Sequence, residues 1–258
     1  MQILAFNPLS HNQSVPVFEL GPLTISNHML MVAVTAVLLA VGIPLAVRKR
    51  AMAPRGWQNL IESVCDFIRK EVAQPILGDQ TDRYIGFIWS IFFFVLTLNL
   101  LGMIPSDKLI TVLTGRPNHY GGAATSNIYV TGGLALVTFF VTHACGIRQQ
   151  GIGHYVSHFA PSGPWWLMPL LYVIEIISTL VKPITLAMRL FANMVAGHMV
   201  LATFVGLIIV FQSLAVAFAS VGAVVAMSLL ELLVAFIQAF IFTFLSALYI
   251  GFAIAPEH

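Results

Sequence analysis

The sequence predicts an all-α integral membrane protein, and three observations lead to that fold class. Hydrophobic residues make up 59% of the 258 residues and charged residues only 9%, against about 25% charged residues in soluble domains. Several apolar stretches reach the roughly 20 residues that a membrane-spanning helix needs. The alternating apolar and polar strands of a membrane β-barrel are absent from the sequence. The chain therefore has too few charged residues for the surface of a soluble protein of this length.

The apolar stretches predict about five membrane helices. Three single spans are predicted, over residues 26–47, 84–104 and 127–145. Residues 165–255 are almost unbroken apolar sequence, long enough for two helices, with the polar pair Gln212 and Ser213 near the middle. We therefore expect the chain to end in a long antiparallel helical hairpin that turns at this pair.

Residues 57–76 predict a helix of a different kind. Apolar residues fall on one helical stripe, and charged residues such as Glu62, Arg69 and Lys70 fall on the opposite side. This pattern is typical of an amphipathic helix that lies on the membrane surface, although a helix packed on a partner subunit gives the same pattern. Because the sequence contains no internal repeat and no soluble segment, residues 1–258 are expected to form a single membrane domain.

Lysine and arginine predict the side of the membrane that each loop faces, because cytoplasmic loops carry an excess of them. Residues 48–83 are rich in both, whereas residues 105–126 contain only Lys108 and Arg116, and residues 1–25 contain none. We expect the amino terminus outside, residues 48–83 and 146–164 inside, and the carboxyl terminus inside.

Five ionisable side chains remain in the last apolar region: Glu175, Lys182, Arg189, His198 and Glu231. Such groups are costly at mid-bilayer unless they face protein or water, so a functional role is the default hypothesis and structural ion pairing is the alternative. Glu175, Lys182 and Arg189 are spaced seven residues apart and fall on one drifting helical stripe. Asn193 shares the face of Arg189, whereas His198 faces the opposite way.

The expected hairpin pairs these residues across two helices. Residues at equal distances from the turn share a depth, so Arg189 matches Gln238 and His198 matches Glu231. Arginine stays charged even when desolvated, and it holds a nearby carboxylate in the ionised state. A histidine–glutamate pair can instead accept and release protons near neutral pH. The sequence thus predicts a polar seam suited to protons, with a fixed cation at one level and a titratable pair at another.

At this point the sequence resembles a known family. EIISTLVKPITLAMRLFANMVAGH (175–198) resembles the signature of ATP synthase subunit a, whose core is R-L-F-x-N-x-x-A-G. ELLVAFIQAFIFTFLSALYI (231–250) resembles the last helix of that family, including its glutamine, and NLLGMIP (99–105) and GIRQQG (146–151) match further segments. His198 and Glu231 stand exchanged relative to many bacterial members, as in mitochondria and their bacterial relatives.

The resemblance implies a proton-translocating stator subunit of an F-type ATP synthase that is not an enzyme by itself. The essential arginine of the family falls on Arg189. Positions associated with the half-channel from the outside fall on Asn193, His198, Glu231 and Gln238. Glu175 and Lys182 would flank the half-channel to the inside. Implied partners are a ring of c subunits, each with one carboxylate at lipid depth, peripheral-stalk b subunits and the lipid bilayer.

Other classes of function are not favoured by the sequence. We expect no catalytic residue, no cofactor, no metal, no nucleic acid and no small-molecule substrate besides the translocated ion. His143, His154 and His158 lack a third ligand at metal spacing and are interpreted as histidines of the inside surface. The alternatives are a secondary transporter in which Arg189 binds an anion, and a structural membrane anchor. The expected location is the inner membrane of a bacterial cell, with the mitochondrial inner membrane as the alternative.

Overall fold

The computed structural model describes residues 16–20, 23–47, 56–104, 122–153, 155 and 166–254. Its α-helices are α1 (Asn27–Ala46), α2 (Trp57–Phe67), α3 (Gln74–Leu77), α4 (Thr81–Met103), α5 (Ile128–Gln150), α6 (Met168–Phe211) and α7 (Leu214–Ile254). A π-helical turn, Ile68–Ala73, joins α2 to α3. Within the described ranges, 5 helical stretches are long and apolar enough to cross a membrane. The prediction of an all-α integral membrane protein is confirmed.

Two short strands precede the first membrane helix. Strands β1 (Pro16–Leu20) and β2 (Leu23–Ser26) pair in antiparallel register, with Pro16 opposite Ser26. The sequence analysis expected only an outside terminus over residues 1–25 and did not predict this hairpin. Residues 1–15 of that segment lie outside the described residues.

Short polar side chains cap the helices that begin at the membrane edge. The backbone N–H of Met29 donates to Ser26 Oγ at 3.4 Å, which caps α1. The N–H of Tyr129 donates to Asn127 Oδ1 at 2.9 Å, which caps α5. Because the first backbone N–H groups of a helix have no intrahelical partner, such caps satisfy them where the chain enters the membrane. Gly151, with φ of 80°, ends α5 in the left-handed conformation.

The long hairpin turns at the predicted pair. Helix α6 ends at Phe211 and α7 begins at Leu214, so only Gln212 and Ser213 lie between them. Gln212 has φ of 46° and stops the helix by leaving the right-handed region. The tight turn leaves two helices of 44 and 41 residues.

Helix α5 extends beyond the predicted third span. The third span was predicted to end at residue 145, but α5 continues to Gln150. A charged residue such as Arg148 marks the edge of the apolar stretch, and a helix can continue beyond that edge into water. The predicted surface helix, residues 57–76, begins at Trp57 as expected and contains the π-helical turn near its end.

The chain forms two compact units, and each long helix contributes a part to one or both. The first unit comprises residues 1–42, 93–131 and 189–239, of which the structure describes 16–20, 23–42, 93–104, 122–131 and 189–239. Its buried core includes Val95, Leu98, Leu190 and Met194. A Cβ built on Gly102 would overlap the Met194 side chain, so the absence of a side chain at Gly102 permits this packing.

The second unit comprises residues 43–92, 132–188 and 240–258, of which the structure describes 43–47, 56–92, 132–153, 155, 166–188 and 240–254. Its core includes Ile68, Val72, Ile88, Phe92, Phe242 and Ile250. The indole N–H of Trp89 donates to the Cys65 carbonyl at 3.0 Å, which fastens α2 to α4. Buried hydroxyls bond back to their own helices, as Ser246 Oγ does to the Phe242 carbonyl at 2.7 Å. This arrangement suits an apolar environment, where each polar group needs an internal partner.

Candidate ion path

The seven residues predicted for the ion path are divided between the two units. Arg189, Asn193, His198, Glu231 and Gln238 belong to the first unit, and Glu175 and Lys182 belong to the second. Apart from Arg189, which was assigned to neither half-channel, the residues divide into the same two groups that the resemblance assigned to the outside and inside half-channels. Each unit therefore carries a polar site of its own.

Arg189 is half-buried on α6, in the first unit. Its neighbour Leu190 is buried, while Ala192 and Asn193 on the following turn are exposed. Within the described residues, Arg189 forms no ion pair and no hydrogen bond. A guanidinium cannot lose its charge in a protein, so this side chain remains a cation without a counter-charge in the described part of the chain.

His198 and Glu231 form the titratable pair of the first unit. The distance between His198 Nε2 and Glu231 Oε1 is 3.7 Å, and Glu231 is only 7% exposed. This separation exceeds a direct hydrogen bond, so a small rotation or a bridging water is needed to pass a proton between the two groups. The structure thus brings together the two residues that hairpin symmetry paired.

Gly197 permits the carboxylate of Glu231 to approach α6. A Cβ built on Gly197 would lie 2.7 Å from Glu231 Oε1 and 3.0 Å from its Cδ. Contacts of that length are repulsive, so any larger residue at this position would displace the carboxylate. This glycine is part of the family signature, but its spacing gave no indication of this contact.

The first unit also contains an amide network. Asn193 Nδ2 donates to Gln238 Oε1 at 2.8 Å, and Gln238 is 2% exposed. Hairpin symmetry instead matched Gln238 with Arg189. Asn193 lies one helical turn beyond Arg189 on the same face of α6. It is therefore Asn193, and not Arg189, that contacts Gln238 of α7.

Asn99 of α4 completes this site, and the sequence analysis missed it. Asn99 is buried, donates through Nδ2 to the Ala235 carbonyl at 3.4 Å, and lines a cavity of about 20 Å³ with Asn193, Glu231 and Gln238. A cavity of that size holds about one water molecule. A polar residue in an otherwise apolar span was the available signal, but its partners on a distant helix were not visible in the sequence.

The second unit contains a larger cavity of about 110 Å³. Glu175, Thr179, Lys182 and Pro183 line it from α6, and Tyr249 lines it from α7. Lys182 Nζ lies 5.7 Å from the centre of the Tyr249 ring, within range of a cation–π interaction. This volume accommodates several water molecules beside the charged groups. The structure therefore brings Glu175 and Lys182 to one cavity that has room for several water molecules.

The position of His143 differs from the one interpreted from the sequence. It was placed among inside-surface histidines, but it is half-buried and lines the second unit's cavity. Its Nδ1 hydrogen-bonds to the hydroxyl of Tyr155, a buried residue beyond the end of α5. Burial raises the pKa of the Tyr155 phenol, so the hydroxyl keeps its proton. Within the described residues, no group of three or more metal-ligating side chains is found.

Comparison with known proteins identifies the family of the chain. The family model described as ATP synthase A chain matches residues 29–251. The chain belongs to this ATP synthase A chain family. It is 41% identical over 251 residues to ATP synthase subunit a of Chloroherpeton thalassium, an alignment that covers 94% of this chain and 71% of the relative.

Further relatives named ATP synthase subunit a come from other bacteria. The chain is 38% identical to the protein of Anaeromyxobacter sp. (strain Fw109-5), over 96% of this chain and 59% of the relative. It is also 38% identical to the protein of Myxococcus xanthus, over 96% of this chain and 79% of the relative. The chain thus spans less than two-thirds of the Anaeromyxobacter relative and about three-quarters of the other two.

Family membership confirms several predictions made from the sequence. The chain is a membrane-embedded, non-catalytic subunit with the proton-translocating stator role of this family. The secondary-transporter alternative is not supported. Membership also implies that the chain works in a complex with other ATP synthase subunits.

Proposed function

We propose that this chain provides two half-channels to the carboxylates of a c-subunit ring in an F-type ATP synthase, with Arg189 as the cation that separates them. The observation that carries this proposal is the state of Arg189. It is a half-buried cation without a counter-charge among the described residues, on the same helix that supplies residues to both polar sites. A charge inside a membrane needs a partner, and a passing ring carboxylate would supply one.

The first unit serves as the half-channel from the outside. Protons pass from the outside to the His198–Glu231 pair, whose two groups can each hold and release one. The hydrogen-bonded amides of Asn193 and Gln238 provide uncharged donors and acceptors around the water-sized cavity beside Glu231. From this site a proton neutralises a ring carboxylate, which then moves away into lipid.

Arg189 acts on the ring carboxyl group that returns from the lipid with its proton. An opposite charge nearby stabilises the ionised form of a carboxyl group, so the arginine promotes release of its proton before the carboxylate passes. Because a guanidinium group is always charged in proteins, Arg189 cannot carry that proton onward. It therefore blocks a direct proton leak between the two half-channels.

The second unit serves as the half-channel to the inside. Glu175 and Lys182 line its cavity, which is large enough for a group of water molecules. Released protons leave through this water. With the inside assigned from the lysine and arginine distribution, the amino terminus lies outside and the carboxyl terminus inside.

The remaining assignments follow from this role. The chain resides in the inner membrane of a bacterial cell, in keeping with its bacterial relatives. The c ring is its moving partner, and peripheral-stalk b subunits hold it in place. The inside stretch over residues 48–83 is the candidate docking surface for the stalk, and it exposes Trp57, Leu60 and Phe67.

The experiment that tests the proposal is ATP-driven acidification of sealed vesicles that carry the full complex. Arg189→Ala should abolish pumping while the complex still assembles, because the ring carboxylate then has no cation to release its proton. Arg148→Ala is the matched control, since Arg148 is an exposed arginine at the end of α5. Pumping by assembled Arg189→Ala at the wild-type rate would overturn the mechanism.

A further inference from the structure

The cavity of the second unit contains a histidine that the proposed path does not yet use. His143 reaches it from α5, opposite the charged residues that α6 contributes. An ordinary carboxyl group titrates near pH 4 and an ordinary lysine near pH 10, whereas an ordinary imidazole titrates near pH 6.5. Of these three side-chain types, imidazole is the one suited to exchange protons with water at neutral pH.

We infer that His143 is the proton-carrying side chain of the half-channel to the inside, and that Tyr155 is the residue that positions it. This inference rests on the proposed function, in which the second unit's cavity leads protons away from the ring carboxylate. In the synthesis direction a ring carboxyl group gives its proton to cavity water, and water gives it to the imidazole. The imidazolium then returns the proton to water on the inside and becomes neutral again.

The contact with Tyr155 suits both protonation states of the histidine. When the imidazole is neutral, the Tyr155 O–H donates to Nδ1 and leaves the proton on Nε2. When the imidazole is protonated, Nδ1–H donates to the Tyr155 oxygen instead, and the hydroxyl turns its own proton away. A hydroxyl can play both parts because it is donor and acceptor at once. The ring orientation is therefore kept while the proton comes and goes.

The placement of Tyr155 is fixed by local packing. A Cβ built on Gly146 would lie 2.9 Å from Tyr155 Cδ2 and 3.0 Å from the Ala253 carbonyl oxygen. The missing side chain at Gly146 therefore makes the space into which the tyrosine ring packs. The Tyr155 amide also donates to the Gly151 carbonyl at 3.0 Å. This hydrogen bond has the spacing of one helical turn and holds the Tyr155 backbone just beyond α5.

Other charged and titratable groups share this cavity with His143. Lys182 and Glu175 face it from α6, and the Tyr249 hydroxyl-bearing ring faces it from α7. On its own helix the nearby titratable groups are Cys145 and Arg148. Phe139 packs edge-on against the imidazole at 4.2 Å between ring centres and walls off one side of it. The imidazole is thus enclosed enough to be oriented and open enough to meet water.

The test compares His143→Gln with wild type in sealed vesicles that carry the assembled complex. ATP-driven acidification is measured across about pH 6 to 9, a range centred on the imidazole region. We expect the pumping rate to fall by about threefold to tenfold, less than the roughly 100-fold or more typical of a positioned acid or base, because cavity water can substitute in part. The pH dependence near neutrality should flatten. His143→Asp should regain rate toward acidic pH, because it restores a group that titrates lower.

His258→Gln controls for the loss of a histidine elsewhere in the chain and should leave rate and profile unchanged. A wild-type rate and pH profile for assembled His143→Gln would overturn the inference. Tyr155→Phe gives an independent measurement that removes only the hydroxyl, with Tyr129→Phe as its matched control because Tyr129 is 86% exposed in the first unit. Tyr155→Phe should change the pH profile, and an unchanged profile would also overturn the inference.

The outcomes separate this inference from the proposed function. If Arg189→Ala abolishes pumping while His143→Gln and Tyr155→Phe behave as wild type, the two half-channels stand and His143 has no part in them. If Arg189→Ala pumps normally, the proposed function fails first.

Discussion

The polar sites of the two units differ in how much room they give to water. In the first unit, Glu231 and Gln238 are nearly buried, an amide hydrogen bond of 2.8 Å joins Asn193 to Gln238, and the cavity measures about 20 Å³. In the second unit, charged groups line a cavity of about 110 Å³. The first site relies on side chains placed at fixed distances. The second relies on water with side chains around it.

This difference predicts how each site tolerates substitution. Where one side chain must pass a proton to the next, removal of one group interrupts the path. Where several water molecules bridge the same distance, the loss of one group changes the rate without closing the path. Three comparisons between variants test this difference: the first compares the two sites directly, and the other two test the fixed contacts of the first unit.

The largest difference is expected between two matched carboxylate-to-amide changes. Glu231→Gln should lower ATP-driven pumping by about tenfold or more, because the buried pair loses the acid that exchanges its proton. Glu175→Gln should lower pumping by less than about threefold, because the surrounding water can still carry protons. Both rates are measured in sealed vesicles with assembly checked. Equal losses for the two variants would remove the distinction between the sites.

A smaller difference is expected between two glycines of the first unit. Gly197→Ala places a methyl group 2.7 Å from Glu231 Oε1 and should destabilise the site by about 1–3 kcal/mol through overpacking. Gly222→Ala is the control, because nothing lies within 4 Å of a Cβ built there. The alanine should be neutral or mildly stabilising at Gly222, since it lowers the conformational freedom of the unfolded chain.

The measurements for this pair are the pumping rate and the temperature at which half of the solubilised complex survives heating. We expect Gly197→Ala to lower both and Gly222→Ala to lower neither. If both alanines are tolerated alike, the position of the Glu231 carboxylate does not depend on Gly197.

The smallest effect is expected for the amide pair. A double-mutant cycle over Asn193→Ala and Gln238→Ala should give a coupling of about 0.6 kcal/mol, a typical value from such cycles within one membrane protein, or roughly threefold in pumping rate. The same cycle over Asn193→Ala and Ser246→Ala is the control, because Ser246 bonds to its own helix in the second unit. Strict additivity for Asn193 and Gln238 would show that their contact does not contribute to transport.

Much of the fold was predictable because it depends on local patterns. Apolar runs of spanning length gave the helices, and the polar pair Gln212 and Ser213 gave the position of the turn. The strands before α1 were not predicted, since they are only 5 and 4 residues long and too short to show a clear periodic pattern. Helix α5 continues five residues past the predicted span, because a helix can extend beyond the apolar stretch into water, where Arg148 is exposed.

The candidate site was predictable where one hairpin brings its residues together. Symmetry about the turn paired His198 with Glu231, which lie 3.7 Å apart at their nearest charged atoms. Asn99 and His143 were missed because each sits on a helix far from the hairpin in sequence. Contacts between such helices depend on packing, which no spacing rule within one segment describes. The roles of all these residues remain predictions for the experiments above.

Pro183 gives the second unit's cavity a feature that side-chain mutagenesis does not detect. It lies inside α6 and lines the cavity together with Thr179, four residues earlier. Proline has no N–H, so the Thr179 carbonyl lacks its helical donor and remains an acceptor for water. Alanine substitution of any other lining residue would leave this backbone oxygen without its helical donor. Only replacement of the proline itself would close the backbone bond, so genetic screens that score side chains would register Pro183 as a structural residue and overlook the oxygen it exposes.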